Sequence, residues 1–195
     1  MSPDVYLLGD QTCLSMPRLA VVGTRAVSPY GERVTEQFVS ALVKAGFVIV
    51  SGLALGVDAI AHRTAIKMGG KTIAVLAHGL DYCYPSEHKG LRQQILDTGG
   101  LLASAFPEGN RPTREQFFVR NELLVKLSDA VLVTCSPHKS GVKNTVKHAA
   151  ELGRDVYVIP GPVDDPSYAG TIEIIDNGGV PVGSPEDLII KLRNN

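Results

Sequence analysis

The sequence lacks the features that would place it outside the ordinary globular class. Its three cysteines, Cys13, Cys83 and Cys135, are odd in number, far apart and in no C-x-x-C pair. That argues against a disulfide frame or a cysteine-built zinc site and points to reduced intracellular thiols. No run of about 18 apolar residues occurs, and Met1 to Pro17 has no basic stretch leading into an apolar one. Neither a membrane span nor a secretory leader is expected, so a cytoplasmic protein without membrane association is the default. The five histidines are dispersed and none sits in H-E-x-x-H; each is expected on a surface or loop, and no metal or cofactor is expected. Internal repeats, linkers and low-complexity stretches are also missing. A net charge of −1, from 19 basic and 20 acidic residues, excludes a strongly basic tail. It does not exclude a local basic patch, which depends on where the charges sit.

What is present is a regular alternation. Short apolar runs occupy Leu19 to Val22, Phe47 to Val50, Thr72 to Ala77, Leu101 to Ala103, Ala130 to Thr134 and Val156 to Ile159. They are continuous rather than alternating, as parallel strands buried on both faces require. Helical segments with recognisable ends lie between them. Ser28-Pro29 offers a cap and a first-turn proline, and Gly46 a stop. Asp58 is expected to cap the helix that Gly69-Gly70 ends. Thr113 to Gln116 matches a capping box. A helix after Ser184-Pro185 closes the chain. The reading is an α/β doubly wound parallel sheet in one domain over residues 1–195, with ligands expected outside the carboxyl ends of the strands.

The loops at those ends define the candidate chemistry. Gly23-Thr24-Arg25 follows the first run, where a glycine permits close backbone approach and helix N–H groups attract an anion. Ser51 to Asp58, with Gly52 and Gly56, is a second glycine-bounded turn, expected to share one anion pocket with the first. The dinucleotide fingerprint G-x-G-x-x-G is absent, and the second strand ends in Ser51-Gly52 rather than an acid for a ribose. Gly70-Lys71-Thr72 imitates part of a phosphate loop, but Ala65 stands where the loop needs glycine. No G-x-S-x-G elbow occurs, because His138 stands two residues before Ser140. His78, at a strand end, is a candidate to reach the pocket. No conventional catalytic arrangement remains, and the chain is not expected to be an enzyme.

Charge is unevenly spread. Arg111 to Lys147 holds seven basic and three acidic residues, a net +4; residues 151–195 total −5; the first 110 balance. Phe117 and Phe118 lie inside the basic segment, and one of the two is expected in the core. Cations track a phosphate backbone, and an aromatic ring stacks a base for about 1–3 kcal/mol.

These motifs resemble the bacterial DNA-processing (DprA/Smf) family. The resemblance is carried by Gly23-Thr24-Arg25 with Ser28 to Gly31, by Ser51 to His62, by Gly79-Leu80-Asp81 with Tyr84-Pro85, by Phe117-x-x-Arg120-Asn121, and by Gly153 to Val156 leading to Pro160-Gly161. It spans about residues 19–180 in order. It implies an extended Rossmann-like domain that binds single-stranded DNA, delivers it to the RecA recombinase during recombination and natural transformation (competence), and usually forms a homodimer. The nucleic-acid contacts it implies fall on Arg25, Arg114, Phe117, Arg120 and Asn121. Lys139 and Lys143 join them from the basic segment. Gly23, Thr24, Ser51, Gly52, Gly56, Ser140 and Gly141 are the expected phosphate-binding loops. Where family members carry S-G-[ST]-L-x-T-A, this chain has Ser140 to Val146 with Val142-Lys143-Asn144 in the middle. The chain is expected to hold the Rossmann-like domain alone, without the helical N-terminal module and C-terminal winged helix often found in the family.

The alternative is a small-nucleotide sensor or a nucleotide phosphoribohydrolase-like protein of the same fold. That chemistry resembles P-G-G-x-G-T-x-x-E, whereas Ser140 to Thr145 has neither P-G-G nor a glutamate. Gly170-Thr171-Ile172-Glu173 places its glutamate one position early and in a different loop.

Overall fold

The computed structural model describes residues 4–194; the single domain expected over 1–195 includes residues 1–3 and 195, which lie outside that range. In chain order the elements are β1 (Tyr6–Gly9), β2 (Arg18–Gly23), α1 (Pro29–Lys44), β3 (Val48–Ser51), α2 (Val57–Lys67), β4 (Thr72–Leu76), α3 (Lys89–Asp97), β5 (Leu101–Ser104), α4 (Arg114–Lys126), β6 (Ala130–Cys135), α5 (Val142–Glu151), β7 (Val156–Val158), α6 (Ala169–Asp176), β8 (Val180–Pro181) and α7 (Pro185–Asn194). The sheet order is β1-β5-β4-β3-β2-β6-β7-β8. All pairs are parallel except β1 with β5. This is the expected doubly wound α/β sheet with two additions at its edges, the antiparallel strand β1 and the two-residue parallel strand β8.

Both sheet faces are covered, which is why the strands read as unbroken apolar runs. In β2, Leu19 and Val21 pack towards α1 and α7, while Ala20 and Val22 pack towards α4, α5 and α6. A third cluster joins Leu53, Ala59, Leu91 and Ile95 to Ala74, Leu76 and Leu102 beneath α2 and α3. Strand order reverses between β2, which runs to β3, and β6, which runs to β7. A crevice outside the carboxyl ends must open at that point.

Helix starts follow the sequence signals at Ser28, Thr113 and Ser184, where the Ser184 hydroxyl accepts the Asp187 N–H at 3.1 Å, and depart at Asp58. The Ser28 side chain accepts the Gly31 N–H at 3.2 Å, and Thr113 with Gln116 completes the capping box. Asp58, expected as a helix cap, is instead in the first turn of α2, after Gly56. Gly56 has φ +77°, and a Cβ there would meet Thr24 O. The turn therefore presses the second strand-end loop against the first, and Val57 N–H donates to Thr24 O at 3.1 Å. Asp58 is thereby free to turn its carboxylate back into the loop.

Candidate functional site

The crevice between the ends of β2 and β6 is a cleft of about 370 Å³, within the range of small-ligand sites. One wall is Gly23, Thr24 and Arg25; the facing wall is Pro137, Lys139, Ser140 and Gly141; Phe117, Arg120 and Asn121 come from α4.

The two glycine turns do not present their backbone alike. Thr24 N–H donates to Cys135 O at 2.8 Å, and Ala26 N–H to Thr24 Oγ1 at 3.3 Å. A Cβ on Gly23 would press on Val57, so the space serves packing between turns rather than a ligand. In the second turn Ser51 is fully buried and its hydroxyl donates to Val21 O at 2.8 Å. Gly52 N–H and Ala54 N–H both donate to Asp58 Oδ2, at 3.1 and 3.3 Å. The groups at Ser51 and Gly52, expected in a phosphate-binding turn, are engaged inside the protein. Gly141 is different: it caps α5, is exposed, and has open space around it.

Arg120 is only 6 % exposed. Its Nη1 donates to Gly52 O at 2.6 Å and to Val75 O at 3.4 Å, and lies 3.8 Å from Asp58 Oδ2. Burial pushes the Asp58 carboxyl up from its ordinary value, against the pull of Arg120 and the backbone donors. Burial likewise lowers the Arg120 guanidinium, against the pull of Asp58. Arg120 thus lines the cleft as part of a buried clamp between α4 and the second turn. Arg25 contrasts with it: exposed, and without a hydrogen bond or ion pair among the described residues. Both guanidinium carbons lie 5.6 Å from the Phe117 ring centroid, within cation–π range.

Neither phenylalanine is in the core, contrary to the expectation for one of them. Phe117 is half-buried and Phe118 is 50 % exposed. The inner stripe of α4 is filled by Arg120, Leu123 and Leu124. Phe117 stands three residues ahead of Arg120, so it continues that stripe to the cleft mouth. Asn121 Nδ2 donates to Asn144 Oδ1 at 3.0 Å, tying α4 to α5. Lys139 is exposed on the cleft wall and has no carboxylate partner among the described residues. Arg114 is exposed at the start of α4, and Lys143 is held by Glu173 at 2.7 and 2.8 Å; neither lines the cleft. Glu173 also faces His138 Nδ1 at 2.8 Å, so it is engaged away from the cleft.

Of the histidines expected on a surface or loop, three are buried: His62 within α2, His88 just before α3, and His78, which does lie in the loop after β4. His78 and His88 bond to groups of the strand-end loops, and His62 to the first residue of β4. His88 Nδ1 donates to Leu53 O at 2.8 Å, holding a residue with φ +56°. His62 Nδ1 meets Thr72 Oγ1 at 2.7 Å, and burial drives its pKa down to about 3. His78 accepts the Tyr84 N–H at 3.2 Å and bonds Gly79 O at 2.9 Å through the other nitrogen; it supports the loop and is absent from the cleft wall. The hub that sequence reading missed is Asp58 as the partner of Arg120. Its signal was a single carboxylate among Val57, Ala59 and Ile60, because an acid in an apolar run needs a partner.

Among the described residues no cluster of metal-binding side chains occurs, and no helix is long and apolar enough to cross a membrane.

The topology and its crevice define an extended Rossmann-like α/β protein whose switch-point cleft carries unpaired cations beside an aromatic ring. The chain belongs to the DNA recombination-mediator protein A family, whose model matches residues 2–193. It is 42 % identical to Protein Smf of Synechocystis over 97 % of this chain and 48 % of that protein. A DNA processing protein A from Helicobacter pylori, whose structure is described in terms of its single-stranded DNA binding mode, superposes with a TM-score of 0.90 at 31 % identity, covering 98 % of this chain and 88 % of that one. DprA from Streptococcus pneumoniae superposes with a TM-score of 0.89 at 37 % identity, covering 95 % and 65 %. The chain spans about half the length of the first curated relatives it matches. The expectation of a non-enzyme agrees with the family's description as recombination mediators.

Proposed function

We propose that this chain binds single-stranded DNA in the switch-point cleft and acts as a recombination mediator, passing the strand to a RecA-type recombinase. The observation that carries the reading is one cleft lined by Arg25, 5.6 Å from the half-buried Phe117 ring, and by Lys139, both cations without a carboxylate partner among the described residues. Cations there hold the phosphates without reading sequence, and the ring stacks a base. The carboxylate on the cleft wall, Asp58, is buried and engaged by Arg120 and two N–H groups. That disfavours the phosphoribohydrolase-like alternative, which needs an accessible acid.

Fluorescence anisotropy with a labelled oligothymidylate tests the reading. Affinity should fall steeply between 50 and 200 mM salt as counterions are released, with a slope of roughly −0.7 per phosphate held. Arg25→Ala should weaken binding to all sequences about equally. An unchanged Arg25→Ala variant, or a thermal shift with a mononucleotide but no oligonucleotide binding, defeats the reading. Delivery to the recombinase predicts faster recombinase filament assembly on coated strands. Homodimerisation, part of the same proposal, predicts twice the chain mass by sedimentation.

A further inference from the structure

Phe117 walls two recesses. On one side lies the cleft; on the other is a shallower slot lined by Leu55, Tyr84 and Pro85. Arg25 and Phe117 belong to both. We propose that the slot is a second nucleobase subsite, with Tyr84 and Leu55 as its platform, taking the nucleotide adjacent to one seated in the cleft while Arg25 holds the intervening phosphate. The inference rests on the single-strand-binding reading and adds a location to it.

Four observations support it. Leu55 and Tyr84 are each 46 % exposed, and they are neighbours in one recess rather than scattered apolar residues of the kind any surface carries. The Tyr84 ring meets Phe117 edge to face, with centroids 6.1 Å apart and planes at 69°. Such a contact covers at most one face of the exposed Tyr84 ring and leaves the other to stack. The backbone that carries the Tyr84 ring is also fixed in advance: Tyr84 N–H donates to the buried His78, whose other nitrogen is held by Gly79 O. A platform already ordered loses little freedom on binding. Finally, none of the slot residues is acidic, and its one charged group is Arg25. The slot encloses only about 40 Å³, so a base would lie across its mouth on the exposed side chains and not inside it.

A base rather than an apolar peptide side chain is the occupant the charge favours. The recess pairs an aromatic platform with a guanidinium that has no ion-pair partner among the described residues, and nucleotides present a π-face beside an anion. An apolar peptide would leave Arg25 without an anion.

The chain contains no tryptophan, so Tyr84→Trp introduces a single tryptophan at the platform, excited at wavelengths the tyrosines do not absorb. Titration with an oligothymidylate of about six nucleotides, within the span of one binding face, should quench it. An abasic oligomer of the same phosphate count should bind without quenching. Tyr84→Leu keeps apolar bulk but lacks a ring and should weaken oligothymidylate binding about tenfold, with Tyr84→Phe close to the parent. The subsite is wrong if the introduced tryptophan is not quenched, or if Tyr84→Leu binds like the parent, while the parent still binds in an Arg25-dependent way. If the parent binds no single-stranded DNA, the functional reading itself fails and the subsite with it. Should Tyr84→Leu fail to fold, the quenching result decides alone.

Discussion

Two arginines approach the Phe117 ring to the same 5.6 Å, yet they belong to different regions of the molecule. Arg120 belongs to the interior: its guanidinium bonds Gly52 O, faces Asp58, and joins α4 to the second glycine turn. Arg25 belongs to the surface and, apart from the Phe117 ring, has no hydrogen-bond or ion-pair partner among the described residues. In sequence both are basic residues in motifs of one family, and both were expected to touch DNA. The difference separates two tasks. Holding the turns in register needs a desolvated, fully bonded cation, whereas capturing a polyanion needs one whose counterion can be released.

The sharpest way to break this contrast is Arg120→Ala. Removing one partner of a buried pair leaves Asp58 uncompensated and should lower stability by about 3–5 kcal/mol, read from the urea midpoint. Arg25→Ala should stay within about 0.5 kcal/mol of the parent, as exposed substitutions do. Equal destabilisation by the two variants would refute the division into interior and surface.

A second effect, about half as large, comes from His62 in the same interior. Its folded pKa is about 3 against the usual 6.5, because burial disfavours the charged ring. The unfolded chain takes up a proton below about pH 6.5 that the folded chain refuses until about pH 3. Stability is therefore complete above 6.5 and falls as pH drops, by about 2 kcal/mol at pH 5. His78 shifts in the same direction and Asp58 in the opposite one, so the comparison is made against His62→Gln. The variant should lose less stability between pH 7 and pH 5 than the parent; parallel curves would show that His62 is not the group responsible.

The glycines of the two regions should also differ. A Cβ on Gly52 would overlap Arg120 Nη1, whereas one on Gly141 meets open space. Gly52→Ala should cost about 1–2 kcal/mol, in the lower part of the overpacking range because the displaced group is a side-chain tip. Gly141→Ala should cost no more than about 0.5 kcal/mol. Since Gly52→Ala acts by crowding the guanidinium tip while leaving its charge beside Asp58, its cost should shrink in an Arg120→Ala background; additive costs would exclude that mechanism.

The fold was legible because six apolar runs and their helix stops each carry a local physical signature. Strand β1 was not: only Leu7 is half-buried in its four residues, too short a pattern for alternation to appear. Strand β8 is shorter still, with two residues. At the site, Arg25, Phe117, Lys139 and Gly141 were legible from their position after strands or inside the basic segment. The clamp was not, because whether Arg120 is buried depends on Asp58 and Gly52, far away in the chain. The buried histidines were hidden for the same reason: His88 serves Leu53, 35 residues earlier. Residue type and spacing locate the surface of this site, while its interior is decided by contacts that only folding creates.

Lys139 and Lys143 give the smallest effect and the finest test of the contrast, because they stand four residues apart in one basic segment. Lys139 lines the cleft unpaired; Lys143 is held by both oxygens of Glu173. A cation already paired releases no counterion when a phosphate arrives unless its own pair opens first. Lys139→Ala should therefore reduce the salt slope of oligothymidylate binding by about 0.7, one phosphate's share, and Lys143→Ala should leave the slope where it was. Glu173→Gln supplies the converse, since it frees Lys143 and should steepen the slope if that lysine can swing to the strand. If Lys143→Ala instead lowers the slope as much as Lys139→Ala does, the Glu173 pair opens on binding, and charge in this segment is redistributed by the DNA rather than set in advance by the fold.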